Sequence, residues 1–412
     1  MANKRWRGDA APVAQVTTVQ VTAYDAATTY KLTVGNKVIS VIAQGSVNLT
    51  ASGLVTAWNA STLAEVAEVT ASSNTDTVTL TADTSGKPFT VTSSVSGGTG
   101  TIGAASTTTD SAGPNHYDTA ANWTPSGVPT GGDDVYFEGS DVPCLYGLDQ
   151  SAVTLTSLSI GASYTGRIGL PDDAGDYYEY RQAYLKVGAT TAYIGQGEGQ
   201  GAGRIRLDLS SIQSTVFVHF TGASLDTGYA SLQLKGTNAA NVINVVRGEV
   251  DVAYFPGETT TFATVRLGYK DSRDADAVVR LSSGVSLTTI EKQGGQLEIN
   301  STFTTLTQYA GQTRLLAGTP GQLNIYGGDV VYNTAGTLGG NTILAGDGHL
   351  DFSQDPRGKA ITNPINMYGR ESRLTAPRNL FSGGVVVDLE YADDLSRLDF
   401  GQHVKLTVAA PT

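Results

Sequence analysis

The chain is poor in the residues that build covalent or thiolate-based scaffolds. Its 412 residues include one cysteine, two methionines and four histidines. A single cysteine excludes an internal disulfide framework, and it excludes a zinc ribbon or iron–sulfur cluster that needs several thiolate ligands. The histidines show no H-x-x-x-H spacing, and the chain has no P-loop and no G-x-S-x-G motif. We therefore expect no metal ion, no cofactor and no catalytic residue.

Charge and long apolar runs are also scarce. Charged residues make up 16% of the chain, against about 25% in an average soluble protein. The net charge of −12 disfavours nucleic-acid binding, because an acidic surface repels phosphates. No stretch approaches about 18 consecutive apolar residues, so we expect no transmembrane helix. The basic start, MANKRWRGDAAP, has no apolar segment behind it, so we expect no secretory signal.

Glycine is abundant instead, with 49 residues, and threonine, valine and serine are frequent. The pattern favours short strands separated by glycine-containing turns, without the 3.6-residue periodicity of long helices. We divide the sequence into an N-terminal arm over 1–12, a small β-rich domain over 13–95, a linker over 96–113, a solenoid cap over 114–150, and a β-helix with an irregular C-terminal β region over 151–412.

The small domain is predicted to be α+β with one short helix. Two alternating strand patterns flank Gly35-Asn36, a pair that tolerates the positive φ angles of a tight hairpin turn. A helix is predicted around Trp58, with Thr50 or Ser52 as its N-cap.

The region after residue 150 repeats short strands and glycine turns. Its clearest internal match is GQLEI at 295–299 with GQLNI at 321–325, an offset of 26 residues. Three strands within that period predict a mainly all-β fold, a three-faced right-handed parallel β-helix. Its rungs would stack about 4.8 Å apart and bury a continuous apolar core. An antiparallel β-sandwich is the alternative, because hairpins also give regular strand spacing.

One loop combines acidic and aromatic side chains in the way that sugar-binding sites do. Its candidate glycan-facing residues are Asp172, Asp173, Asp176, Tyr177, Tyr178 and Tyr180. Paired carboxylates serve glycosidases, but a solvated loop projecting from one rung is the simpler interpretation. A second acidic segment, DSRDAD at 271–276, offers oxygen ligands for Ca²⁺ without EF-hand spacing, and we interpret it as a charged turn.

The densest basic cluster is at the start of the chain and contains Lys4, Arg5, Trp6 and Arg7. One hypothesis makes it a partner-binding arm that docks on an acidic or aromatic-lined surface. The alternative is a solubilising end that packs locally on residues 13–95.

Two stretches resemble parts of known structural proteins. The region from RWRGDAAPVAQV onward, above all TLTADTSGKPFTVT at 79–92, resembles a small domain of structural proteins in tailed bacteriophages. The segment NWTPSGVPTGGDDVYFEG at 122–139 resembles the start of β-helical regions in phage and bacterial surface proteins. The resemblance implies a virion structural protein and supplies no catalytic residue.

These observations lead to a non-enzymatic protein on the outer surface of a phage particle. Our first hypothesis is a homotrimeric head decoration protein that binds the major capsid protein or other virion proteins. The alternatives are a tail fibre or spike that recognises host-surface glycans, and a β-helical polysaccharide depolymerase. Solvent-facing aromatic residues along the β-helix would favour glycan recognition. A carboxylate pair about 5–10 Å apart in a groove would favour the depolymerase.

Overall fold

The computed structural model describes residues 2–170, 183–268, 277–376, 381, 385–390, 395–400 and 406–409. The predicted glycan-facing loop, 172–180, and the acidic turn, 271–276, lie outside the described residues. The first nine strands are β1 (Asn3–Trp6), β2 (Val16–Ala23), β3 (Thr29–Val34), β4 (Lys37–Ile42), β5 (Val69–Asn74), β6 (Thr77–Ala82), β7 (Val91–Ser96), β8 (Thr101–Ile102) and β9 (Ser106–Thr109). The helices are α1 (Val47–Asn59), α2 (Ala64–Ala67) and a 3-10 turn, Ala120–Asn122.

The remaining strands follow one another to the end of the chain. They are β10 (Trp123–Thr124), β11 (Asp134–Phe137), β12 (Asp149–Ile160), β13 (Arg167–Ile168), β14 (Leu185–Ile194), β15 (Arg204–Asp208), β16 (Thr215–Val218), β17 (Leu232–Lys235), β18 (Val242–Val245), β19 (Gly248–Val252), β20 (Thr260–Leu267), β21 (Ala277–Leu281), β22 (Val285–Lys292), β23 (Gln296–Ile299), β24 (Phe303–Gln308), β25 (Gln312–Leu315), β26 (Pro320–Ile325), β27 (Asp329–Tyr332), β28 (Thr342–Leu344), β29 (His349–Asp351), β30 (Ile365–Met367), β31 (Arg373–Ala376), β32 (Val385–Leu389), β33 (Leu398–Phe400) and β34 (Leu406–Ala409). Among the described residues, no helix is both long and apolar enough to cross a membrane.

From β12 onward, each strand pairs in parallel with the strand two positions later. The prediction of a mainly β chain with one long parallel sheet is therefore confirmed, and the pairing is β-helix-like. Along many strands, such as β21, β23 and β25, buried and less buried residues alternate. This alternation follows from the two-residue period of a strand, with one side facing the interior and the other facing outward.

The predicted 26-residue repeat is wrong as a rung length. Leu297 pairs with Thr313, an offset of 16 residues, and Leu306 pairs with Leu323, an offset of 17. The two matched segments, GQLEI in β23 and GQLNI in β26, belong to different series of paired strands. The two segments are similar because each has a glycine at a corner followed by a strand with an inward leucine.

The small domain is inserted into the solenoid, between β1 and β10. Its strands form a sheet ordered β5-β6-β2, with β8 and β9 also paired to β2, and a sheet ordered β4-β3-β7. Helix α1 is capped by Ser46, one turn earlier than predicted, and it buries Leu54 and Trp58 against these sheets. Strands β8 and β9 lie within the predicted linker. The insertion closes where Val13 pairs with Ala112.

The predicted N-terminal arm holds the first strand of the solenoid. Strand β1 pairs antiparallel with β10 and parallel with β11, more than a hundred residues away. Trp6 is fully buried, and its ring lies 5.1 Å from that of Trp123 and 5.5 Å from that of Phe137. Its indole N–H donates to the Val142 carbonyl at 2.9 Å. An aromatic cluster therefore covers the first rungs, as an open parallel stack requires.

Inward side chains stack in register through the solenoid. One such set, the interior column, contains Ile160, Ile194, Val218, Val245, Leu267, Lys292, Gln308, Ile325, Leu344, Met367 and Leu389. Two polar residues interrupt it, and both are fully buried. The Lys292 ammonium donates to the Ala310 carbonyl at 2.8 Å and lies 3.4 Å from Gln308 Oε1. Desolvation lowers the pKa of Lys292 to about 7, while nearby Asp329 opposes the shift.

Replacing Trp6 tests the cap. Trp6→Ala removes the ring that joins β1 to Trp123 and Phe137, so we expect a loss of about 3–5 kcal/mol in the free energy of unfolding. Arg7 is exposed, so Arg7→Ala is a matched control with an expected change within about 0.5 kcal/mol. Urea unfolding monitored by circular dichroism measures both. Equal stability of the two variants would contradict the assignment of β1 to the cap.

Replacing Lys292 tests the interior column. The folded-state pKa is below the unfolded value of about 10.4, so between pH 7 and pH 10 the unfolded chain binds more protons and this residue makes stability rise with pH. Lys292→Met removes that penalty, and we expect it to stabilise the protein by roughly 2–4 kcal/mol at pH 7.

The gain should shrink as the pH approaches 10. Lys186, which is 45% exposed, provides the control Lys186→Met. Urea unfolding of the parent and both variants at pH 7, 8.5 and 10 measures the effect. A Lys292→Met variant less stable than the parent at pH 7 would show that the ammonium's hydrogen bonds outweigh its desolvation.

Candidate functional site

The basic cluster is split between the interior and the surface. Lys4 is buried and its ammonium donates to the carbonyls of Pro125 and Ser126 at 3.0 and 3.2 Å. Together with buried Trp6, it is part of the cap and is not free to dock on a partner. This corrects the hypothesis of a four-residue docking arm, because alternate residues of a strand face opposite sides.

Arg5 and Arg7 remain at the surface of the same strand end. The Arg5 guanidinium forms an ion pair with Glu138 and lies 4.9 Å from the centre of the Tyr136 ring. Both arginines line a shallow cavity of about 330 Å³ with Glu138, Gly139 and Ser163. Partner binding stays a prediction for Arg5 and Arg7. A partner would contact them on the surface of the cap and not on a separate arm.

A groove of about 780 Å³ lies beside Leu170 and Ala183, the described residues nearest to the predicted glycan-facing loop. On its wall, the Lys235 ammonium lies 3.1 Å from a Glu258 carboxylate oxygen, 4.0 Å from Asp208 and 4.0 Å from the centre of the Tyr184 ring. The Tyr184 hydroxyl donates to Glu258 at 3.1 Å. The two carboxylates thus share one ammonium, which suits a structural network better than an acid–base pair acting on a sugar.

Exposed aromatic residues lie along one corner of the solenoid. Tyr309, Tyr326 and Tyr368 directly follow β24, β26 and β30, and they are 45%, 38% and 46% exposed. We call this set the tyrosine edge. The rings of Tyr309 and Tyr326 are stacked, with centres 5.2 Å apart and planes 18° apart. The equivalent corner position between Tyr326 and Tyr368 is Ala345, whose small side chain leaves a gap in the row.

Backbone hydrogen bonds fix the position of these tyrosines. The Tyr326 amide donates to the Gln308 carbonyl at 2.8 Å, and the Tyr368 amide donates to the Leu344 carbonyl at 2.7 Å. The residue after each of the three tyrosines is alanine or glycine, so the chain turns immediately and the ring projects from the corner. The row therefore presents aromatic rings from fixed backbone positions along the corner.

Next to the tyrosine edge lies an open groove of about 750 Å³, which we call the histidine groove. It is lined by Asp329, Asp347, His349, Arg370, Glu371, Arg373, Thr375, Ser396, Arg397 and Asp399. Asp329 follows Tyr326 by three residues and Arg370 follows Tyr368 by two, so both features share one corner of the solenoid. The first residues of β27, β29 and β31 are Asp329, His349 and Arg373, so they place one carboxylate, one imidazole and one guanidinium group in register.

The sequence interpretation did not single out the tyrosine edge. A signal was present, because the three tyrosines begin the similar tripeptides YAG, YGG and YGR. Each tripeptide puts a ring before a tight corner, but only strand register shows that the corners lie above one another. The predicted glycan-facing tyrosines, Tyr177, Tyr178 and Tyr180, lie outside the described residues.

Comparisons with models of protein families, with curated proteins and with solved structures found no match. A functional assignment therefore depends on the geometry of this chain and on the resemblances of its short segments.

Proposed function

We propose that the chain is a structural protein on the outer surface of a phage particle, and that its tyrosine edge binds glycans of the host surface. The observation that carries glycan binding is the stacked, exposed pair Tyr309 and Tyr326, continued by Tyr368. Contiguous exposed apolar surface is more typical of interaction sites than single scattered residues are, and the stacked pair is contiguous. Binding of this kind requires no catalytic residue.

The proposal includes a right-handed, three-faced winding of the solenoid. Parallel strands joined by crossovers in one sheet are almost always connected in the right-handed sense. Short parallel bridges, Leu338 with Ile361 and Lys359 with Phe381, lie between the two main strand series and support a third face.

The inserted domain would attach the protein to the particle. Its outer strand, β4, lies at the edge of a three-stranded sheet and exposes Val38 and Ile42 at 49% and 64%. An edge strand with exposed apolar side chains is suited to pairing with another chain. We propose the major capsid protein or another virion protein as that partner, with the chain acting as a homotrimeric head decoration protein.

A tail fibre or spike is the second candidate. The tyrosine edge favours this candidate, because a tail fibre or spike would use host-surface glycans for attachment. Density for the chain on intact particles separates the two positions. Density on the head lattice would support decoration, whereas density confined to the tail tip would exclude it and support the fibre or spike.

Removing the stacked rings tests glycan binding. We expect Tyr309→Ala/Tyr326→Ala to lower the affinity for host-surface polysaccharide at least tenfold, since central aromatic contacts are each worth over about 1 kcal/mol. Tyr326→Phe should bind as the parent does, because it keeps the ring. Tyr24, 39% exposed on the inserted domain, supplies the control Tyr24→Ala.

Isothermal titration calorimetry with purified polysaccharide measures these affinities. Parent-like affinity of the double variant, or an equal loss in Tyr24→Ala, would remove the tyrosine edge as the binding site. Thermal unfolding of each variant checks that the solenoid remains folded.

A further inference from the structure

Three polar side chains in the histidine groove are hydrogen bonded in a chain. His349 Nδ1 lies 2.9 Å from Asp329 Oδ1, and His349 Nε2 lies 2.8 Å from Thr375 Oγ1. The imidazole therefore has a carboxylate on one nitrogen and a hydroxyl on the other. This is the connectivity by which a histidine activates a hydroxyl nucleophile.

Strand register brings the three residues together. Asp329, His349 and Arg373 occupy one position in successive paired strands, β27, β29 and β31. Thr375 is two residues beyond Arg373, so it faces the same side of β31. His349 lies in the middle rung and reaches back to Asp329 and forward to Thr375. The residues are 20 and 26 positions apart in the chain.

The protonation pattern follows from the acceptors. A carboxylate accepts hydrogen bonds only, so Nδ1 carries the proton that it donates to Asp329. In the neutral imidazole, Nε2 then has the lone pair and accepts the proton of the Thr375 hydroxyl. The His349 side chain is 24% exposed and that of Asp329 is 55% exposed, so the group is open to a bound molecule.

The surroundings supply charged side chains of both signs and a platform. Arg370, Arg373 and Arg397 line the same groove as Asp329, Asp347, Glu371 and Asp399. A guanidinium group near the reacting carbonyl would stabilise a developing oxyanion. The tyrosine edge runs along the adjoining corner, three residues before Asp329. The corner that carries Tyr326 and Tyr368 thus leads into the strands that carry Asp329 and Thr375.

We propose that Asp329, His349 and Thr375 form a hydrolytic site for carboxylic esters, with an ester-substituted glycan as the substrate class. Thr375 Oγ attacks the ester carbonyl carbon, and its proton passes to His349 Nε2. The tetrahedral intermediate expels the alcohol, which takes the proton from His349. Water then attacks the acyl-threonine ester and gives its proton to His349, and Thr375 is released as the hydroxyl while the acid leaves. One water is consumed for each ester.

The choice of a glycan substrate rests on the proposed function, but the hydrolytic site itself is tested independently of glycan binding. A small activated ester, 4-nitrophenyl acetate, does not span the tyrosine edge, so its hydrolysis reports on the groove alone. A failure to bind polysaccharide would not contradict the hydrolytic site. Absence of ester hydrolysis would not contradict the proposal that the tyrosine edge binds glycans.

The decisive variants keep the shape of the side chains. Thr375→Val is isosteric but lacks the hydroxyl, and we expect the catalysed rate to fall at least 100-fold. His349→Gln should fall similarly, and Asp329→Asn by at least tenfold. Thr375→Ser keeps a nucleophile and should retain activity. His219, whose ring nitrogen lies 3.3 Å from the Gln196 side chain on another part of the solenoid, provides the control His219→Gln.

Three measurements decide the outcome. The rates of the variants should fall as stated, intact mass of the parent should show one added acetyl group, and peptide mapping should locate it on Thr375. Parent-like rates in Thr375→Val and His349→Gln, or a label at another residue, would overturn the proposal and make the three residues a structural ladder. If Thr375→Val does not fold, the comparison of Thr375→Ser with His349→Gln decides.

Discussion

Parallel strands stacked in register are the constraint on which the rest of the molecule depends. Each rung hydrogen bonds to the next, so an inward residue must lie above another inward residue. Offsets between paired residues in strands two positions apart range from 16, between Leu297 and Thr313, to 37, between Arg167 and Arg204. The strands cannot absorb this difference without moving apolar side chains outward. The corners absorb it instead, and they are where exposed and chemically active side chains collect.

The candidate sites follow from this division between strands and corners. The tyrosine edge occupies corners directly after paired strands. Tyr309 and Tyr326 are therefore one rung apart and stack, and Tyr368 lies two rungs beyond Tyr326. Asp329, His349 and Thr375 are aligned by the strands that begin after the same corners. Beneath them, the Gln308 side chain donates to the Asp329 carbonyl at 3.2 Å and accepts from Thr313 at 2.6 Å. Gln308, one of the two polar residues in the interior column, thus holds the backbone at Asp329, where the histidine groove begins.

The sequence predicts the class of fold because strand alternation and glycine corners are local features. It does not predict register, since GQLEI and GQLNI look equivalent yet belong to different strand series. It also misses the role of Trp6, because the strands that pair with β1 lie beyond an inserted domain. The histidine groove is hidden for the same reason: its residues are brought together by rungs of unequal length. His349 therefore looks isolated in the sequence, although both of its ring nitrogens are hydrogen bonded in the structure.

The insertion point of the small domain has a consequence for attachment. The chain leaves the solenoid after β1 and returns before β10, two strands that are hydrogen bonded to each other. The neck is closed by the pairing of Val13 with Ala112, and His116 Nε2 lies 3.0 Å from the Gly86 carbonyl of the inserted domain. Two chain crossings and these contacts resist rotation better than a single linker does. If the inserted domain holds the particle, the solenoid is then held at a set angle, and the tyrosine edge and the histidine groove face a fixed direction.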